Sequence, residues 1–335
     1  MRRILIATLV LLAAAAASYT GYWFHVAGRL RAGVEPWAEA RRAEGYTVRW
    51  DAVSVGGFPG SFSLRFAGAV FGGSRPLPFQ IAAPLLSGSA RPWNLKRWKV
   101  NAPEGARVDA PSEGDAIAAA ALDGTVILGT EVGTAIDLVA RDVAGSGAAA
   151  GLRIADAEAR LTLPERAPAS HQDTAFGAAI RLAKMVLPYR VPPFGSTVEA
   201  LTLAGTFKGA LPRGKLRQGL AAWRDDGGTI ELEVGSLRWG PLAASANGTL
   251  ALDEVLQPIG AMTATIEGHN AIIDAFVANG SLRPGDASFA KTFLGLMAKP
   301  SADGRKQLTV PLRLQNDRVY LGPAQIAALP RFTWD

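Results

Sequence analysis

The sequence predicts a mainly β protein of the α+β class: an elongated antiparallel sheet with a few helices packed on one face, preceded by an N-terminal transmembrane helix. Three observations predict this fold. A long uncharged segment opens the chain, apolar and polar residues alternate with period two through the body, and Gly and Pro punctuate the alternating segments. Apolar residues at 49% and charged residues at 19% are typical of a folded protein rather than a disordered one.

The opening segment has the length and composition of a membrane span. After the basic start Arg2-Arg3, no residue from Ile4 to Ala27 carries a permanent charge. About 20 apolar residues suffice to cross a bilayer as a helix, and aromatic residues at the end of the segment favour an uncleaved anchor. We predict an anchor over residues 1–28 that contacts the membrane through residues 4–27, with a cytoplasmic N-terminus and an exported body. A cleaved signal peptide with Ile4–Ala17 as its apolar core is the alternative.

A helical stalk is predicted over residues 29–45, because Leu30, Val34, Trp37 and Arg41 follow helical spacing and Gly45 ends the pattern. Pro36 is expected to kink this helix or to open a second one. The rest, residues 46–335, is predicted as one mainly antiparallel β domain. A sub-boundary near 188–195 is plausible because four Pro and Gly residues cluster there.

Alternation predicts strands in many parts of the body. The clearest is Gly228–Gly235, where Ile230, Leu232 and Val234 are expected on one face and Glu231 and Glu233 on the other. Asn316-Asp317 is the expected hairpin turn between two late strands. The other predicted strands begin at Tyr46 and Ser61 or cover 125–128, 134–139, 152–163, 197–207, 247–252 and 308–315.

Helical spacing predicts five shorter helices within the body. They are Thr174–Leu187, Lys215–Trp223, Ala271–Asn279, Ala287–Ala298 and a terminal turn over Pro323–Leu329.

Composition limits the chemistry. The chain has no Cys, which excludes disulfides, thiolate metal sites and cysteine nucleophiles. The net charge of +6 is spread along the chain without a run of basic residues, so nucleic acid is not expected as a partner. His25, His171 and His269 have no spacing typical of a metal site, and neither a metal nor a cofactor is expected.

One motif has the spacing of a serine hydrolase. Ser288 and Lys291 form a Ser-x-x-Lys pair, in which the Lys would act as base for the Ser. The accompanying Ser-Asp-Asn and Lys-Thr-Gly motifs are missing, and Ser288 next to Asp286 is more typical of the first turn of a helix. We therefore assign no catalytic residue.

Three other patterns are interpreted structurally. Gly145–Gly151 imitates a dinucleotide loop but precedes an alternating segment, so a hairpin loop is expected. Asp225-Asp226 and Asp253-Glu254 are adjacent carboxylates that flank turns. Asn247 and Asn279 begin glycosylation-like triplets, and both are expected in turns.

The most basic and aromatic stretch is Pro92–Val100, with Trp93 and Trp98 among Lys96, Arg97 and Lys99. Such a stretch suits contact with lipid headgroups or glycans. The alternative, which we favour, is an irregular edge segment with Trp packed inward.

Several short motifs, in order, resemble the domain-of-unknown-function family 2125 (DUF2125). They are the N-terminal anchor, Trp37…Gly45, Gly57-Phe58-Pro59, Ala83-Pro84-Leu85, Trp239-Gly-Pro-Leu242, Asp253…Gln257-Pro-Ile-Gly260 and Leu321-Gly-Pro323…Leu329-Pro330. The resemblance implies an envelope protein of the Gram-negative inner membrane with one span and its bulk in the periplasm. One departure is Gly60-Ser61, where the family has an aromatic residue and then Arg. A looser, fold-level similarity to AsmA-like proteins implies lipid handling on a β-sheet.

Together these observations favour a non-enzymatic, membrane-anchored protein whose sheet serves as a scaffold or as an apolar groove for a lipid. The alternatives are an assembly factor that binds an envelope protein, and a hydrolase that uses Ser288 and Lys291.

Overall fold

The computed structural model describes residues 1–74, 78–109, 114–131, 133–210, 216–300, 306–322 and 324–334. One long helix and one large antiparallel sheet make up most of this part of the chain. Lys215 and Pro323, which begin two of the predicted helices, lie outside the described residues.

Helix α1 runs without a break over Arg2–Ala43. Its most apolar window has a mean hydropathy of 2.0, and none of that window is buried, so α1 is long and apolar enough to cross a membrane. Pro36 lies inside the helix and does not start a second one. The second half of α1 is the predicted stalk, but its buried residue is Ala38, whereas Trp37 is exposed.

The described strands follow one another as hairpins, the simplest route for an antiparallel sheet. Their bounds are β1 Tyr46–Arg49, β2 Ala52–Gly56, β3 Phe62–Gly73, β4 Phe79–Arg91, β5 Asn94–Ala102, β6 Ala106–Asp109, β7 Ala116–Thr130, β8 Gly133–Ser146, β9 Arg153–Leu163, β10 Thr174–Val191, β11 Gly195–Lys208, β12 Thr229–Trp239, β13 Leu242–Leu252, β14 Pro258–Glu267, β15 Lys299–Pro300, β16 Lys306–Gln315, β17 Arg318–Leu321 and β18 Ala324–Ala328.

Each described strand pairs mainly with its neighbour in sequence. β1 and β2 both pair with β3, and the ladder then continues through β4, β5 with β6, and β7 to β14. β14 pairs with β16, which leads to β17 and β18, while the short β15 adds to β16. The segment 188–195 contains the end of β10 and the start of β11, and residues 192–194 form the turn that connects them.

Three shorter helices are described: α2 Leu216–Asp225, α3 His269–Ala278 and α4 Pro284–Met297. They confirm three of the predicted helices within a few residues. The hairpin turn at Asn316-Asp317 is also confirmed, since both residues have positive φ angles of 54° and 56°.

Two predicted helices are wrong. Thr174–Leu187 is strand β10, which pairs on both sides with β9 and β11. The alanines of this segment are compatible with helical spacing, but Ala178, Ile180 and Leu182 also fit the alternation of a strand, with Ala179 and Arg181 between them. The strand forms because β9 and β11 supply hydrogen-bonding partners on both sides. The terminal turn of helix is strand β18, which pairs with β17.

Much of the protein surface remains accessible to solvent. The accessible area is 20721 Å², whereas a compact monomer of 35.1 kDa exposes roughly 13,000 Å². The protruding half of α1 contributes to the excess. The sheet contributes as well, because no second described sheet covers it.

Candidate binding face

One face of the sheet is apolar from one end to the other. Residues directly opposite in neighbouring antiparallel strands point to the same side, so the register defines rows that cross the sheet. The central row is Val55, Leu64, Gly88, Val100, Gly124, Leu138, Ala159, Ile180, Leu203, Gly235, Ala246, Ala264 and Val310.

Two flanking rows on the same side are equally apolar. One contains Phe62, Ala90, Trp98, Val126, Ile136, Leu161, Ala178, Gly205, Leu232, Gly248, Met262, Leu312 and Leu321. The other contains Ala102, Leu122, Ala140, Ala157, Leu182, Leu201, Leu237, Ala244, Ile266 and Leu308. We call these three rows the apolar face.

The opposite side is polar along the same strands. One row contains Arg65, Ser87, Asn101, Asp123, Val139, Glu158, Arg181, Thr202, Ser236, Ser245, Thr265 and Thr309. Ion pairs cross this side, including Arg141 Nη1 to Asp123 Oδ2 at 2.9 Å. The two faces therefore differ in solvation: water can hydrogen-bond to the side chains of the polar face, whereas the apolar face exposes hydrocarbon.

A β-bulge in β12 interrupts the predicted alternation, so part of that prediction is wrong. Leu232 pairs with Gly248 and Gly235 pairs with Ala246, so Glu233 and Val234 are accommodated between them. Val234 then lies opposite Ala204 on the polar side, where it is exposed. Ile230 and Leu232 point to the apolar side as predicted, but Val234 does not.

Helix α1 covers one end of the apolar face. The indole of Trp23 stacks on the ring of Phe62 with centroids 5.3 Å apart, and Phe62 is completely buried. Val26 and Leu30 of the same helix, together with Val55 of β2, pack around this pair. Trp23 Nε1 also donates to Ser61 O at 3.1 Å, so the contact has one fixed orientation.

Helix α4 covers the other end. Ala264, Leu308 and Val310 are buried there, and Leu294 of α4 packs on them. The face of α4 turned away from the sheet is apolar as well, because Phe289 and Phe293 are exposed and stack on each other.

No described helix covers the middle of the apolar face in the same way. Ile180 is 45% exposed and Leu203 is 43% exposed, although both lie in the central row. Gly205, Gly235 and Gly124 contribute no side chain of their own, and the side chains of Leu232 and Leu138 lie close to Gly235 and Gly124. This open span suits an acyl chain or another extended apolar group, which it would remove from water.

The Ser-x-x-Lys pair is not arranged as a nucleophile and its base. Ser288 lies in the first turns of α4, where its Oγ donates to Pro284 O at 3.1 Å. Lys291 Nζ is paired with the carboxylate of Asp274 on α3. The Ser hydroxyl is thus used by its own helix, and the Lys cation joins α3 to α4.

The three histidines lie far apart in the fold. His25 is exposed on α1, and the ring of His171 lies beside Gly227. His269 is buried at the start of α3, and neither of its ring nitrogens has a hydrogen-bond partner among the described residues. Within that part of the chain, no three His, Asp or Glu side chains converge as a metal site requires.

The glycine-rich segment has the expected position. Gly147–Ala149 forms one turn of 3₁₀ helix that connects β8 to β9, without a helix N-terminus able to cradle a phosphate.

The carboxylate pairs lie beside turns as expected. Asp253 Oδ1 accepts hydrogen bonds from the backbone N–H groups of Val255 and Gln257 at 2.9 and 2.8 Å. Asp225 is the last residue of α2 and is paired with Arg224.

The two glycosylation-like triplets differ. Asn279 caps the end of α3, and its side chain accepts from Ser281 N at 3.0 Å, as expected for a turn. Asn247 lies inside strand β13, so the predicted turn there is wrong.

The basic stretch divides into two parts. Trp98 points to the apolar face, is half buried and donates from Nε1 to Leu95 O at 2.9 Å. Trp93 lies in the turn between β4 and β5 and is 68% exposed. The inward packing that we favoured therefore holds for Trp98 and is wrong for Trp93. The predicted irregular edge segment is also wrong, because most of the stretch belongs to strand β5, which pairs with β4 on one side and β7 on the other.

Two groups in the described part of the chain have shifted pKa values. The backbone N–H groups of Ala169 and Ser170 hold the pKa of the Asp173 carboxyl below its usual range. The carboxylate of Asp137 raises the pKa of the Arg160 guanidinium by a hydrogen bond. Both groups are exposed and lie away from the apolar face.

Sequence reasoning missed the residues that define the face as a site. The alternation was visible, but the packing of Trp23 on Phe62 and the absence of cover over Ile180 and Leu203 were not. The sequence did contain one signal for this face: every central strand has apolar residues at alternate positions, and the strand register aligns these positions into rows.

Comparison with known proteins identifies one family. The model of a family described as an uncharacterized protein conserved in bacteria (DUF2125) matches residues 23–330. No curated protein and no solved structure shows significant similarity to the chain.

Proposed function

The chain belongs to the DUF2125 family, and from its structure we propose that it is a non-enzymatic, membrane-anchored protein that holds the acyl chains of a lipid or similar amphiphile on its apolar face. In this proposal α1 is the anchor in the inner membrane, and the sheet lies in the periplasm. The proposed compartment follows from the signal-like start of the chain and the exported character of a β-rich body.

The observation that carries the proposal is the open middle of the apolar face. Exposed aliphatic side chains in continuous rows cost free energy in water, at about 25 cal/mol for each Å². A soluble domain with no ligand normally covers such rows with a second layer. Here α1 and α4 cover the two ends, while Ile180 and Leu203 between them stay open.

The chemistry of the face favours acyl chains over polar ligands. The central row contains no charged or hydrogen-bonding side chain. A site for a polar ligand has a few convergent donors and acceptors that fix its orientation. An apolar strip without such groups can bind a ligand only by burying apolar surface, which is how an acyl chain is bound.

Photocrosslinking in the intact chain tests the proposal directly. A benzophenone amino acid at Leu203 would report what covers the open span, and one at Val234 is the matched control. Both positions are similarly exposed, at 43% and 46%, and they lie on opposite faces of the β11–β12 pair. We expect adducts with the mass of a lipid at 203 and none at 234.

Two outcomes would contradict the proposal. Equal lipid adducts at both positions would indicate non-specific contact with the membrane. Protein adducts alone at 203 would instead support the second candidate, an assembly factor. The exposed Phe289 and Phe293 of α4 favour that candidate, since an unpartnered aromatic pair is typical of protein contact surfaces.

A further inference from the structure

The end of the β4–β5 hairpin contacts α1 at the point where that helix would leave a bilayer. Tyr22 Oη donates to Pro92 O at 3.0 Å, and Tyr19 Oη donates to Pro59 O in the neighbouring β2–β3 turn. From Ile4 to Trp23 the helix rises about 30 Å, which is the thickness of the hydrocarbon layer. In a bilayer that α1 spans, both hairpin turns would therefore lie at the level of the lipid headgroups.

The side chains around this turn are basic and aromatic. Arg91, Trp93, Asn94, Arg97 and Lys99, which we call the basic tip, line an open cavity of about 560 Å³ together with Ser61 and Ser89. The guanidinium of Arg91 lies over the Trp93 ring, 5.4 Å from its centroid. Among the described residues that line this cavity there is no carboxylate.

The three cations of the basic tip form no ion pair within the described part of the chain. The ion pairs of the neighbouring strands join other residues, such as Arg141 to Asp123 and Arg160 to Asp137. None of the ion pairs described includes Arg91, Arg97 or Lys99. Three clustered cations repel one another, so an anion that enters the cavity stabilises the cluster.

We propose that the basic tip binds the phosphate of an anionic phospholipid in the membrane that holds α1. The phosphate would accept hydrogen bonds from Arg97 and Lys99, and Trp93 would lie among the headgroups, as Trp side chains do at membrane interfaces. This contact would fix the tilt of the sheet against the bilayer. The basic tip lies on the polar side of the β4–β5 hairpin, so the inference is independent of the ligand proposed for the apolar face.

Lipid retention by the full chain tests the inference. The chain is placed in nanodiscs of phosphatidylcholine with about 30% phosphatidylglycerol, which supplies an anionic surface. Native mass spectrometry then releases the protein from the disc and measures the ratio of phosphatidylglycerol to phosphatidylcholine that stays bound to it. We expect the wild type to retain phosphatidylglycerol above its share in the disc. In the double variant Arg97→Gln/Lys99→Gln, the ratio of bound phosphatidylglycerol to phosphatidylcholine should fall roughly fivefold for each charge removed, because each basic residue near an anionic surface contributes about 1 kcal/mol.

Three further variants separate the possible explanations. Arg153→Gln/Arg190→Gln removes two exposed cations elsewhere and should retain the wild-type ratio. Arg97→Lys keeps the charge and should retain most of the preference. Leu203→Glu should release lipid from the apolar face while the preference of the basic tip persists, so failure of one proposal is distinguishable from failure of the other.

The inference is overturned if the retained lipids match the composition of the disc, or if the double variant and its control behave alike. It is also overturned if inorganic phosphate is bound as well by the full chain in discs of phosphatidylcholine alone, since the site would then take a soluble anion. The substituted side chains are exposed, so unchanged thermal unfolding should accompany each variant.

Discussion

The end of the sheet under α1 and the open span between β8 and β12 are built from the same sequence pattern but meet different surroundings. Phe62 and Leu64 alternate with Ser61 and Ser63, as Ile180 and Leu182 alternate with Ala179 and Arg181. Yet Phe62 is completely buried, while Ile180 is 45% exposed. Alternation thus specifies which side of a strand is apolar, and a separate element determines whether that side is covered.

This difference assigns different roles to the two regions. At the covered end, a stacked aromatic pair and one indole hydrogen bond fix the sheet to the helix. In the open span, neither of the two core clusters at the ends of the face extends over the apolar rows in the described part of the chain. The first region stabilises and orients the sheet against the helix, whereas the second leaves apolar side chains partly exposed.

The largest effect is expected at the covered end. Phe62→Ala should lower the free energy of unfolding by about 3–5 kcal/mol, because it removes a fully buried ring and leaves a cavity under Trp23. Chemical denaturation of the full chain in detergent micelles, followed by Trp fluorescence, would measure it. Phe62→Leu should cost clearly less. If Phe62→Ala were neutral, α1 would not be packed on the sheet as described.

The C-terminal segment offers a test of a second buried contact. Gln257 is buried, and its side-chain amide donates to Phe332 O at 3.0 Å and accepts from Phe332 N at 2.9 Å. Gln257→Ala should cost about 1–3 kcal/mol, since it leaves two backbone groups without their partner. Hydrogen exchange at Phe332 should accelerate in parallel. Unchanged exchange would show that the C-terminal segment is held by other contacts.

A matched pair of leucines sharpens the comparison itself. Leu203→Ala in the open span should cost less than about 1 kcal/mol, because the side chain is already 43% exposed. Leu308→Ala, on the same face but buried beneath α4, should cost about 2–5 kcal/mol. Both are measured by the same denaturation experiment on lipid-free protein. Equal losses would mean that the open span is covered in solution.

The smallest effect concerns a loop on neither covered surface. Because the pKa of Asp173 is lowered in the folded protein, its ionised carboxylate stabilises the 169–173 loop above the ordinary pKa of an Asp. That stabilisation should be lost as the pH falls through the lowered pKa. Asp173→Asn should remove this acid-dependent step from the hydrogen exchange of Ala169 and Ser170. A step that persists in the variant would assign the acid dependence to another group.

The sequence predicted the fold class, the long N-terminal helix and most strands, because these depend on local apolar spacing. It did not predict β10, since its small residues satisfy both helical and strand spacing until β9 and β11 supply partners. The position of Val234 was also beyond reach, because the bulge around Glu233 arises from the mismatch of β12 with β13. The candidate site was more difficult to predict than the fold. Alternation predicts which face of a strand is apolar, but whether that face is covered depends on elements far away in the sequence.

The hairpin-by-hairpin order of the sheet gives it a modular length. From β2 to β16 the central row crosses 13 strands, so it measures roughly 58 Å along the sheet at about 4.8 Å for each step. Each strand depends mainly on its two neighbours, as in repeat proteins whose units stack in one dimension. Inserting or deleting one hairpin in the central strands would change this length by about 9.6 Å and leave both ends intact. The reach of the protein is therefore a quantity that evolution, or an engineer, can adjust in discrete increments.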